Sequence, residues 1–145
     1  MITDAQLTLS DAQAITGDAA SANQIDLTVA RNLERSGAQS LRFVVLVTTA
    51  FDNLTSLTVT VRQSAATNMG SPDVIATGPA VALANLKAGA VLLDIPWPNL
   101  SGVAAKRYLD VYYDVTGTYP ANGAVWAGIV MNTEGGDYRL GNRGL

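Results

Sequence analysis

Lys106 to Val115 is the most regularly patterned stretch of the chain: Leu109, Val111, Tyr113 and Val115 alternate with Tyr108, Asp110, Tyr112 and Asp114. Carboxylates flanked by tyrosines are the equipment of a glycosidase, whose two acids stand roughly 5 to 9.5 Å apart across the scissile bond. On an extended strand, residues i and i+4 are about 13 Å apart, so Asp110 and Asp114 do not form that pair by themselves. A neighbouring strand that brought Asp94 beside either of them would complete it. The competing reading, which asks for less, is a polar outer face whose tyrosines cover the adjacent strand.

Other chemistries are removed by composition. The chain has no histidine and no cysteine, so Ser-His-Asp and Cys-His catalysis, thiol redox chemistry and Cys/His metal, haem or iron-sulfur sites are excluded. A hard cation would need clustered carboxylates and backbone oxygens, and Glu134-Gly135-Gly136-Asp137 matches no EF-hand spacing. It reads as a turn with solvated acids. Neither G-x-x-x-x-G-K-[ST] nor a helix-opening G-x-G-x-x-G occurs. No cofactor or metal is therefore expected, and no catalytic residue beyond the carboxylates named above.

Pro96-Trp97-Pro98 is the one local feature that invites a binding hypothesis. Two prolines stiffen the loop, so the indole would point in a fixed direction and lose little entropy on docking. The alternative is that Trp97 folds back and plugs one end of the domain. Trp126 lies in a strand pattern, where packing accounts for it. A carbohydrate-binding module would use Trp97 with Tyr112 or Tyr108 as stacking platforms.

These residues must be positioned by a single domain of 145 residues, 48% hydrophobic and only 14% charged, with a net charge of -3. A chain of this size buries a core without disulfide or metal. Nine cations, spread from Arg31 to Arg143, supply no clustered footprint for nucleic acid. The low charge, set against fourteen threonines and twenty-two alanines, suits either a Ser/Thr-rich β surface or a protein packed against others, including copies of itself.

Residues 1–20 have neither a basic start nor an apolar run, so no targeting segment is expected and the mature chain should begin here. The longest uncharged stretch, Val115 to Thr133, is broken by glycines and Pro120 and is no membrane span. A reducing cytoplasm is the expected place of synthesis.

Strand periodicity dominates from about residue 39. Eight strands are expected, at Gln24–Val29, Leu41–Thr49, Leu57–Arg62, Asp73–Thr77, Ala80–Leu86, Ala90–Ile95, Lys106–Thr116 and Gly123–Met131, with Gly, Pro and Asn punctuation between them. The fold class is all-β, a two-sheet β-sandwich of jelly-roll type. Residues 1–23 are read as an irregular N-terminal arm, with a short helical turn or an extended segment at Ala12–Ala22. Residues 24–131 form the jelly roll and 132–145 a Gly-rich tail.

Three segments carry a family likeness: Ile2-Thr3-Asp4-Ala5-Gln6 with Ser10 to Thr16; Gln24-Ile25-Asp26-Leu27; and the late block of Lys106-Arg107-Tyr108-Leu109, Tyr112-Tyr113, Gly117, Gly123 and Val125. In these the chain resembles the jelly-roll capsid cement, or decoration, proteins of short-tailed bacteriophages. The resemblance implies a non-enzymatic homo-oligomer, dimer or trimer, in the virion. It would lie on the outer capsid surface and clamp neighbouring subunits of the major capsid protein, without binding nucleic acid or membrane. The termini and the tryptophan loop are the expected contacts, with Trp97, Tyr138, Arg139 and Arg143 as anchors, because Trp, Tyr and Arg are enriched where interfaces bind most strongly.

Overall fold

A computed structural model describes residues 2–31, 41–97, 100 and 103–131. Among them ten strands run in chain order: β1 (Ile2–Ala14), β2 (Ala19–Ala20), β3 (Ile25–Asp26), β4 (Leu41–Thr49), β5 (Leu54–Ser64), β6 (Asp73–Thr77), β7 (Val81–Ala82), β8 (Val91–Pro96), β9 (Tyr108–Gly117) and β10 (Ala124–Met131). A single 3-10 turn, Leu83–Asn85, follows β7. No helix among the described residues is long and apolar enough to cross a membrane.

All pairings are antiparallel. One sheet has the order β1-β10-β4-β8; the other has β2-β9-β5-β6, with β3 also on β9 and β7 also on β5. β2 and β3 together occupy one edge position, and β6 and β7 another. The result is eight positions in two four-stranded sheets, with the chain crossing between them as in a jelly roll. The expected count of eight is met by a different set: β6 and β7 share a position, and β1 supplies the missing one.

Period-two alternation explains why these sequences form strands. Leu57, Val59 and Val61 on β5 and Leu109, Val111, Tyr113 and Val115 on β9 face Phe43, Val45 and Val47 on β4 and Val125, Ala127 and Ile129 on β10, forming one core. Each fully buried aliphatic side chain there contributes about 1.5 to 3 kcal/mol. β4 and β6 occupy the expected ranges. The strand expected at Gln24–Val29 is only Ile25–Asp26, followed by Thr28 at φ 66°. Of Ala80–Leu86 only Val81–Ala82 is strand before the 3-10 turn.

The N-terminal segment departs from expectation. Residues 2–14 are an edge strand of the sandwich and no arm, and neither a helical turn nor a free extended segment occupies Ala12–Ala22. The alternation is obscured by register shifts between Thr3 and Thr8, Thr8 and Ser10, and Ser10 and Gln13, with Ala12 at φ 47°. Bulges let Leu9 and Ser10, adjacent in sequence, both be buried. They also break up a long edge against pairing with other chains.

Ser10 is tolerated inside because it is satisfied. Its hydroxyl donates to Gln13 Oε1 (2.7 Å), so the Tyr113 hydroxyl donates to Ser10 Oγ (2.7 Å). Gln13 Oε1 also accepts the Ala22 N–H, and Gln13 Nε2 donates to the Ala20 carbonyl. This chain of bonds ties the β1 edge to β2 and, through Tyr113, to the opposite sheet.

Connectivity sorts the loops to two ends. β1 begins, β3 leaves, β4 enters, β8 leaves, β9 enters and β10 finishes at one end, as the pairs Ile2 with Met131, Met131 with Leu41, Arg42 with Pro96 and Asp26 with Tyr108 show. At the opposite end Asp52 accepts the N–H groups of Ala121 and Asn122 and the Asn122 side-chain amide, pinning the β9–β10 loop to the β4–β5 turn.

Candidate functional site

The structure separates the carboxylates that the sequence offered for acid–base work. Asp94 is on β8, in the sheet that does not contain β9, and accepts from Arg42 Nε at 2.6 Å. Asp110 lies directly across from Arg62 on β5 and accepts from its Nε (2.9 Å) and Nη2, with only 2% of the Asp110 side chain exposed. Asp114 is exposed, opposite Thr58. No acid pair of glycosidase geometry is brought together from these three.

The aromatic platforms are also otherwise engaged. The Arg62 guanidinium sits 4.3 Å from the Tyr112 ring centroid, and that of Arg107 sits 5.0 Å from Tyr108. Trp97 does not project as an anchor. It is 9% exposed and packs on Phe43 at 5.2 Å between ring centroids, because burying an indole gains more than holding it in water. Its Nε1 has no hydrogen-bond partner among the described residues. Tyr138, Arg139 and Arg143, together with Glu134 and Asp137, lie outside the described residues. Trp126 faces outward, half-buried, its ring across Gly128; a Cβ there would stand 2.8 Å from the indole.

At the end where β1 starts and β10 stops, Val29 (55% exposed), Val103 (46%) and Met131 (53%) are open to solvent, and the Val103 N–H donates to the Leu100 carbonyl; Val91 and Tyr119 are comparably exposed at the opposite end. Behind them, buried Gln63 donates to the Ala104 carbonyl and accepts the Lys106 N–H, fixing the segment that leads into β9. Ion pairs frame this end. Arg107 binds Asp26 through two hydrogen bonds of 2.6 and 2.7 Å and holds its carboxyl down at about 2, while Asp26 raises Arg107 in return. Lys106 holds Asp73 below its usual range from 2.8 Å.

A second feature was not legible in the sequence. On the outward face of the β9-containing sheet, residues 20–24 and the β5–β6 loop at 67–69 stand either side of the Arg62–Asp110 pair and enclose a cleft of about 440 Å³. Alternation placed Asp110 and Arg62 on outer faces, but only the register joins residues 48 apart in sequence. No group of three or more acidic side chains able to hold a metal ion occurs among the described residues.

These observations define an all-β sandwich of jelly-roll topology in which Asp26, Asp73, Asp94 and Asp110 are held in ion pairs and Asp52 in a turn. The chain belongs to the Bbp16 family, whose model matches residues 9–129, from within β1 to within β10. It is a phage-type family. No curated protein matches the chain.

Proposed function

We propose that the protein is a structural component of a phage virion: a cement protein that binds the outer capsid surface as a homodimer or homotrimer and clamps neighbouring major capsid protein subunits. The observation that carries this reading is the jelly-roll fold of a chain that belongs to a phage-type family, with Val29, Val103 and Met131 exposed at the end where β1 starts and β10 stops. Exposed apolar side chains framed by paired charges resemble an interface core with its polar rim. Clamping requires only buried area, roughly 1,200 to 2,000 Å² per specific contact. Repetition over a shell then multiplies a modest affinity.

The reading is tested by adding purified protein to heads that lack it. Val29→Asp and Val103→Asp, both at exposed positions, should leave the fold intact and reduce binding at least tenfold, or about 1.4 kcal/mol. Unchanged binding by both would move the contact elsewhere.

A further inference from the structure

The cleft over the Arg62–Asp110 pair has the attributes of a preformed ligand site, and we propose that it binds a neutral saccharide. Its walls are fixed without a ligand. On one side Ser21 N–H donates to the Val111 carbonyl, Ala22 N–H to Gln13 and Asn23 N–H to the Leu9 carbonyl. On the other, Met69 N–H donates to the Ala66 carbonyl, Gly70 N–H to Asn68 Oδ1, and Ser64 Oγ to the Gly70 carbonyl. Such a site loses little entropy when it is filled. Its volume of about 440 Å³ falls within the roughly 300 to 1,000 Å³ of small-molecule sites.

Charge and hydrogen-bond capacity select the ligand. Arg62 and Asp110 are the only charged residues in the lining among the described residues, and they neutralise each other through two hydrogen bonds. An ionic ligand would have to compete with that buried pair, at a desolvation cost. A polypeptide would dock by main-chain pairing, yet the N–H groups of residues 21–23, 69 and 70 are already bonded within the protein. The Gln24 and Thr67 side chains have no hydrogen-bond partner among the described residues, and Asn68 uses its Oδ1 but not its Nδ2. Amides and hydroxyls that both donate and accept match the hydroxyls of a sugar. With Tyr112 capped by Arg62, recognition rests on these polar groups rather than on ring stacking. The site is independent of any capsid role.

The test is an amide NMR titration of the full 145-residue protein with glucose, galactose, N-acetylglucosamine and their disaccharides, with glucose 6-phosphate and a neutral tripeptide as comparisons. At least one neutral sugar should give saturable shifts confined to residues 20–24 and 67–69, with a Kd of about 10 mM or tighter. Gln24→Ala and Thr67→Val, which remove no hydrogen bond that fixes the walls, should each weaken binding about fivefold or more. Absence of saturable shifts in these segments for every sugar, shifts unaltered in both variants, or a stronger response to the tripeptide or the phosphate would overturn the proposal.

Discussion

Asp26, Asp73, Asp94 and Asp110 each meet a guanidinium or ammonium group, and Asp52 meets three N–H groups. The structure uses these acids as fasteners, which gives stability a pH dependence of predictable sign. Asp26, Asp52 and Asp73 are held below the ordinary 3.8, so below that value the unfolded chain takes up protons that the folded one resists. Their contribution is present above about pH 5 and is lost as pH falls toward 2, the value at which Asp26 itself titrates in the fold. Melting temperature against pH should drop over that window, and Asp52→Asn should make the drop shallower. Gly123 offers a second check at this scale. Its φ is +145° and a Cβ would lie 2.2 Å from the Phe51 ring, so Gly123→Ala should cost about 1 to 3 kcal/mol in denaturant titration. Neither effect was readable beforehand, because Asp52 meets partners 69 and 70 residues away in sequence and Gly123 meets the Phe51 ring only in the fold.

Elements whose apolar runs are bounded by turn residues were legible in the sequence, and β1, with three register shifts along its length, was not. Leu41–Thr49 and Asp73–Thr77 coincide with β4 and β6. β1 was hidden because three register shifts erase its period, and an inward Ser10 reads as surface until Tyr113 is placed above it. The consequence is testable. Removing residues 2–14 should abolish cooperative unfolding by circular dichroism, since it strips β10 of its neighbour, whereas loss of a free arm would leave the transition unchanged. Tyr113→Phe removes one bond of the internal chain and leaves Ser10 its Gln13 partner, for a loss of about 1 kcal/mol. Across β5 and β9, Arg62→Ala strands a buried carboxylate and should cost about 3 to 5 kcal/mol, most of it recovered in an Arg62→Met, Asp110→Leu double variant. Urea midpoints of the two variants decide that point. The same pairing shows why the cleft was missed: alternation assigns a residue to a face, but register decides which residues meet across it.

For the whole molecule, the proposal of a clamp draws on a jelly roll with four ion pairs, exposed apolar side chains at the end where β1 starts and β10 stops, and membership of a phage-type family. The all-β class and the jelly-roll topology followed from strand spacing and resemblance. Trp97 takes the second of the two placements its sequence allowed, packed in the core, while Val29, Val103 and Met131 are exposed at the end where β1 starts and β10 stops. Quantitative mass spectrometry of purified virions, with imaging of the head, decides whether the protein is a capsid clamp. A clamp is present at a fixed ratio to the major capsid protein, with density for a jelly roll on the outer capsid surface, spanning neighbouring capsid subunits. Absence of the chain from purified particles, or its presence only in trace, non-stoichiometric amounts, would contradict it.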